Sequence, residues 1–194
     1  MELIFASHNE NKVKEIRNMV SEEIRILSLN DLNFHEEIEE TGNTLEANAR
    51  IKAKTIHGLT GKNVFADDSG LFVEALGGAP GVFSSRYAGT GDSEDNINKL
   101  LRKLDNKPNR NAYFKSVFCL ILNEVEYFFD GECPGEIISE KRGCKGFGYD
   151  PVFIPTGYQQ TFSEMESGLK NSISHRYKAV QKLITFIENF PSCL

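Results

Sequence analysis

The sequence has no apolar run that approaches the ~20 residues a membrane helix needs, so no membrane partner is expected. Its start, Met1-Glu2-Leu3-Ile4-Phe5, lacks a basic region and a long apolar stretch, which argues against a signal peptide and for the cytoplasm. The four cysteines, Cys119, Cys133, Cys144 and Cys193, form no C-x-x-C pair, and no His stands at zinc-ligand spacing, so reduced thiols are expected. Positive charge is also scarce: 28 acidic residues face 22 basic ones, for a net charge of −6. Nucleic acids bind through counterion release to a basic face, so none is expected as a partner. A small phosphate ligand is not excluded, because it needs only a few cations gathered at one spot. Neither the G-x-x-x-x-G-K loop nor the G-x-S-x-G elbow occurs, which leaves a P-loop and a serine nucleophile of that kind without support. There is no internal repeat, low-complexity tract or clear linker, and 194 residues suit a single domain, 1–194. At 40% hydrophobic and 26% charged, the composition is that of a globular chain able to bury a core.

What is present alternates between strand-like and helix-like patterns. Leu3-Ile4-Phe5-Ala6 is an apolar run that breaks into polar Ser7-His8-Asn9-Glu10-Asn11, and Val13, Ile16 and Val20 then fall on one helical stripe. Residues 31–42 are acidic and aperiodic, as in a loop. Thr44 is placed as an N-cap for a helix with Leu45, Ala49, Ala53 and Ile56 on its buried face, ending near His57-Gly58. Asn63-Val64-Phe65-Ala66 reads as a buried strand that ends at Asp67-Asp68, residues 71–75 as a further strand, and residues 77–81 as a rigid turn. Ser93 is placed as the cap of a helix carrying Ile97, Leu100, Leu101 and Leu104. Residues 113–122 and 125–130 form a hairpin about Asn123-Glu124, with another strand around residues 136–139. Ser174 starts a last helix with Tyr177, Val180, Ile184 and Ile187 inward. A hairpin amid alternating helices and strands predicts an α/β fold with a mixed sheet rather than a purely parallel one.

Residues able to do chemistry cluster where strands end and helices begin. Ser7-His8-Asn9-Glu10-Asn11-Lys12 offers phosphate the backbone N–H groups and positive dipole end of a helix start, with Lys12 as a point charge. The same residues also read as plain capping by Ser7 or Asn9 with Lys12 on a solvated face. Asp67-Asp68-Ser69-Gly70 follows an apolar strand. A buried carboxylate needs a cation or donor beside it, so the pair are candidate magnesium ligands or a general base. Strand alternation implies that one of the two points into the site. An Asx turn with Gly70 at positive φ is the other reading. Glu36, Glu37, Glu39 and Glu40 add acids upstream, or a solvated face. Gly146-Phe147-Gly148-Tyr149-Asp150-Pro151 describes a tight loop presenting ring faces and a carboxylate, on which a base could stack. Ser174-His175-Arg176, with Lys170 before it, offers donors to a carbonyl or phosphate. Phe147 and Tyr149 as core plugs, with His175 and Arg176 on the surface, is the alternative. Together the clusters make the parts list of a nucleotide site.

Over nearly its whole length the chain resembles the inosine/xanthosine triphosphate pyrophosphatases, the Ham1-like family. The matching blocks are Ser7-x-Asn9-x-x-Lys12, Thr41-Gly42-x-Thr44-Leu45-Glu46-Ala47-Asn48-Ala49, Ala66-Asp67-Asp68-Ser69-Gly70-Leu71, Gly77-Gly78-Ala79-Pro80-Gly81, Gly146-Phe147-Gly148-Tyr149-Asp150-Pro151 and Ser174-His175-Arg176. They occur in the family's order, and only Cys144-Lys145 depart from the small residues usual before the aromatic loop. The resemblance implies an elongated, twisted mixed sheet flanked by helices, two lobes with a central nucleotide cleft, and a homodimer. The implied reaction is hydrolysis of XTP, ITP or dITP to the monophosphate and pyrophosphate with Mg2+. It also implies that the run from Ser7 through His8, Asn9, Glu10 and Asn11 to Lys12 holds the triphosphate, and that Lys52 points at phosphate. Asp68 is implied as the proton acceptor and, with Glu40, a magnesium contact, and Ser69 as touching substrate. Phe147, Gly148, Tyr149, Asp150, Lys170, His175 and Arg176 are implied to form the base pocket.

Physical reasoning agrees with that assignment, since phosphoryl chemistry needs charge neutralisation and an oriented water more than covalent help. Donors at His175 and Arg176 would be satisfied by the 6-carbonyl of hypoxanthine or xanthine and left unpaired by adenine, at a cost of about 1–3 kcal/mol. Two rivals stay open on the sequence: a Maf-like pyrophosphatase acting on pyrimidine or modified nucleotides, and a nucleotide-binding protein without turnover. The apolar segment 77–87 is the candidate dimer surface.

Overall fold

The computed structural model describes residues 1–190; Cys193 lies outside them. The strands are β1 (Glu2–Phe5), β2 (Arg25–Ser28), β3 (Val64–Val73), β4 (Pro80–Gly81), β5 (Asn111–Leu122), β6 (Val125–Ile137) and β7 (Phe153–Pro155). The helices are α1 (Glu10–Arg17), α2 (Leu45–Thr60), α3 (Ser93–Lys103), α4 (Ser167–Ile173) and α5 (His175–Glu188). The sheet runs β2-β1-β3-β5-β6-β7, with β4 paired to β3 off this path. β1 pairs parallel with β2 and β3, whereas β3–β4 and β6–β7 are antiparallel, so the mixed sheet is as expected. No helix among the described residues is long and apolar enough to cross a membrane.

The chain forms two compact units. Of the described residues, the first comprises Met1–Asp68, Val117–Asp130 and 179–190; the second comprises Ser69–Ser116 and Gly131–Lys178. In the first unit β1, the start of β3 and the end of β5 are buried on both faces, which is why they read as continuous apolar runs. Leu3, Phe5, Phe65, Phe118 and Leu120 pack with Val13 and Ile16 of α1 and Val180, Leu183 and Ile184 of α5. The alternate residues Ile4, Ala6, Val64, Ala66 and Cys119 pack with Ala49, Ala53 and Ile56 of α2. In the second unit Leu71 and Val73 pack with Ile97, Leu100 and Leu104 of α3 and with Phe114, Tyr149, Phe153 and Phe162.

Several boundaries differ from expectation for local reasons. β3 does not stop at the acid pair; it continues to Val73 and takes in the expected strand 71–75, because its later part gains β4 as a partner. Gly70 is therefore extended and has no positive φ, so the Asx-turn reading fails. Glycine is needed there because a Cβ would lie 2.4 Å from the carbonyl oxygen of Gly81. α2 runs through Gly58 and ends at Gly61, whose φ of 63° supplies the left-handed cap. The cap of α3 is Asp92, which accepts from the N–H of Asp95, rather than Ser93. The expected strand at 136–139 is the end of β6. The hairpin holds, with Asn123 and Glu124 both at positive φ, as a tight two-residue turn requires.

Candidate active site

In the first unit the acid pair occupies the stretch of β3 beyond its pairing with β1, which ends at Phe5↔Phe65. Strand alternation sends the two carboxylates to opposite faces. Asp67 follows Phe65 toward α1, where Lys12 Nζ donates to both of its oxygens at 3.0 and 2.9 Å. Asp68 follows Ala66 toward α2, where Asn48 Nδ2 donates to its Oδ2 at 2.9 Å. Both acids are buried. Lys52, one turn after Asn48 on α2, reaches Glu40 Oε1 at 2.5 Å.

The electrostatics follow from this crowding. Burial pushes the Asp68 carboxyl up to about 6; Lys52 and Asn48 pull it down, while Glu40 and Asp67 push it further up. Burial alone would lower Lys52, but Asp67, Asp68 and Glu40 outweigh it and hold the ammonium above its ordinary value. A carboxylate raised toward neutrality beside a fixed cation, Lys52, is suited to taking a proton from water. Among the described residues no group of three or more His, Cys, Asp and Glu is placed to hold a metal. Asp68 and Glu40 nonetheless fit magnesium, which takes hard oxygen donors and commonly uses one or two carboxylates together with water and substrate phosphate.

The loop before α1 is organised by Asn9, whose Oδ1 accepts from the N–H groups of Asn11 and Lys12; the N–H of Asn9 in turn donates to Ser7 Oγ at 3.2 Å. His8 turns to the neighbouring loop: its ring nitrogens lie 3.3 Å from Asn30 Oδ1 and 3.1 Å from the Glu36 carbonyl, and the ring stacks on Phe34. Glu10 accepts a hydrogen bond from Asn30 Nδ2.

The second unit gathers the aromatic loop with α4 and the start of α5. Asp150 is buried; its Oδ2 accepts from the N–H of Phe147 at 2.8 Å and from Lys170 Nζ at 2.6 Å. Burial raises its carboxyl, against the pull of Lys170 and that N–H. A Cβ at Gly146 would lie 2.2 Å from Asp150 Oδ2, so the loop closes only over glycine. The Phe147 ring stands 45% exposed, with Lys170 Nζ 5.1 Å and the Arg176 guanidinium 5.7 Å from its centroid. Gly148 lies between the rings at positive φ. Tyr149 is in the core, its hydroxyl donating to the Ser84 carbonyl at 2.8 Å. His175 and Arg176 are buried rather than on the surface, and His175 stacks on Phe114 at 4.9 Å. Ser69 Oγ lies 2.5 Å from Ser116 Oγ.

The sequence reading missed Asn48, Ser116 and Phe114. Asn48 carried a usable signal, a polar residue on the otherwise apolar face of α2. Ser116 and Phe114 sit in a long strand pattern and carried none.

The Ham1 family profile matches residues 3–186. The chain belongs to the Ham1 family. A relative named dITP/XTP pyrophosphatase in Flavobacterium psychrophilum is 52% identical over 190 residues, covering 97% of this chain and all of that one. The solved Ham1 protein of Staphylococcus aureus superposes with a TM-score of 0.92 at 37% identity, covering 98% of this chain and 100% of that one. The nucleoside-triphosphatase, dITP/XTP pyrophosphatase, of Mycobacterium abscessus gives 0.80 at 38% identity, covering 95% and 99%. This Ham1 chain therefore shares its fold with solved Ham1 structures over nearly its full length.

Proposed function

We propose that this Ham1 protein hydrolyses dITP, ITP and XTP to the nucleoside monophosphate and pyrophosphate, removing non-standard purine nucleotides from the pool. The observation that carries the reading is Asp68: a buried carboxylate raised to about 6, fixed by Asn48, with Lys52 acting on it and Lys12 held at Asp67. Lys12, Lys52 and the positive end of α1 take the triphosphate charge, with Ser7, His8, Asn9, Glu10 and Asn11 shaping the loop before it. Asp68 accepts a proton from the attacking water. The water oxygen joins phosphorus, and the α–β anhydride bond breaks with its electron pair leaving on pyrophosphate. Magnesium, held by Asp68 and Glu40, would supply further neutralisation of the phosphate charge.

In the same reading Phe147 offers its exposed ring to the purine, and Asp150 and Tyr149 hold the loop around Gly148 in shape. Lys170, His175 and Arg176 supply donors that favour a 6-carbonyl over an amino group. Ser69, next to Asp68 in sequence, contributes a hydroxyl. A cytoplasmic homodimer using the segment around the exposed Phe83 is part of the proposal. A clean monomer by light scattering at working concentration would remove the dimer.

The test is incubation with magnesium and ITP, dITP, XTP, ATP or GTP in separate reactions. Pyrophosphate release from the first three alone supports the reading; orthophosphate release, or equal turnover of ATP, contradicts it. A His175, Arg176 double alanine variant that kept full preference for ITP over ATP would overturn the base assignment.

A further inference from the structure

Asn48 is fully buried at 0% exposed, in the second turn of α2, whose stripe is otherwise Leu45, Ala49, Ala53 and Ile56. A buried amide needs partners at both ends, and those of Asn48 join two separate parts of the acid cluster. Its Oδ1 accepts from the N–H of Gly42 at 2.8 Å, while its Nδ2 donates to Asp68 Oδ2 at 2.9 Å. The orientation is forced, because the Gly42 N–H can only donate and a carboxylate oxygen accepts; a flipped amide would oppose like with like. Gly42 is pressed onto this amide: a Cβ there would lie 2.6 Å from Asn48 Oδ1 and 2.7 Å from Ala47 Cβ. Two residues before Gly42, Glu40 pairs at 2.5 Å with Lys52, which projects from the same face of α2 as Asn48.

We infer that Asn48 is a positioning residue for the hydrolysis, fixing with one amide both the Asp68 carboxylate and the loop that carries Glu40. This rests on the reading of Asp68 as proton acceptor. The amide engages Oδ2 of Asp68 specifically, so it sets the rotation of the carboxyl group. Through Gly42 it also sets where Glu40 stands relative to Asp68. Loss of the amide lets both carboxylates turn, which disturbs water orientation and cation binding while leaving the loop before α1 untouched.

The experiment measures kcat, KM for ITP and the magnesium half-saturation for wild type, Asn48→Ala and Asn48→Asp, with circular dichroism melts and Asp68→Asn in parallel. Asn48→Asp keeps an acceptor for the Gly42 N–H and replaces the donor to Asp68 with a second carboxyl oxygen, so it breaks the amide contact with Asp68 in a second way if the alanine variant does not fold. The expected result is a fall in kcat of ~10–100-fold with a raised magnesium half-saturation, at a KM for ITP nearly that of wild type. Wild-type kcat and magnesium dependence in a folded Asn48 variant, beside an inactive Asp68→Asn, overturns the role of Asn48 alone. Wild-type turnover by Asp68→Asn overturns the reading of the site, and the inference falls with it. A rise in KM that accounts for the whole loss, or unfolding of both Asn48 variants, also overturns it by marking Asn48 as part of the frame.

Discussion

The ammonium of Lys12 lies 3.0 and 2.9 Å from the two carboxylate oxygens of Asp67, although the residues are 55 apart in sequence. The side chain of Asp67 is 1% exposed and that of Lys12 18%. Taking the cation from a carboxylate so buried costs about 3–5 kcal/mol in such settings. Lys12→Ala should therefore lower the urea midpoint as well as turnover, the latter by ~10^2–10^3-fold if the lysine also serves phosphate. An unchanged midpoint would show that the contact contributes nothing to the fold.

Tyr149 makes the opposite prediction. Its hydroxyl donates to the Ser84 carbonyl within the second unit. Tyr149→Phe leaves that buried oxygen short of a donor and should cost about 1–3 kcal/mol of stability, with kcat nearly unchanged. A large fall in kcat at full stability would assign the hydroxyl to substrate.

Asp150 gives stability a pH dependence of known sign. Its folded carboxyl is raised above the ordinary 3.8 by burial, which Lys170 opposes. The fold thus favours the protonated form, so the contribution is complete below the unfolded value and is lost as pH rises through the raised folded one. Relative to Asp150→Asn, wild type should lose stability as pH rises from the ordinary carboxylate value of 3.8 through the raised folded one, followed in denaturant titrations. A difference that stays flat or grows with pH contradicts the assignment.

The thiols divide by burial. Burial pushes Cys119 up to about 12 and Cys133 up to about 11, whereas Cys144 is exposed. The thiolate is the reactive form, so in a Cys193→Ser background Cys144 alone should label promptly in the native protein. Prompt labelling of Cys119 or Cys133 would mean that its strand opens readily.

The alternation of Asp67 and Asp68 was legible in the sequence, because a strand admits only that geometry; which helix each acid meets was not, since α1 and α2 are placed by long-range packing. The Thr44 cap and the Asn123-Glu124 turn were readable because they are local. The ring of Tyr149 looked as suited to a base as that of Phe147, and only burial separates them, at 4% against 45% exposed. The alternative turn reading of Gly70 could not be settled from the sequence, because the residue that forbids a Cβ, Gly81, acts across a strand pair rather than along the chain. His175 and Arg176, charged or polar at a helix start, gave no local sign that they are buried.

The most direct test of the account is pyrophosphate release from ITP with magnesium, comparing wild type with Asp68→Asn. The substitution keeps shape and removes the proton acceptor. The account predicts rapid release by wild type and a loss of ~10^2–10^4-fold in the variant, with the fold intact. Release by a folded Asp68→Asn at the wild-type rate would contradict it.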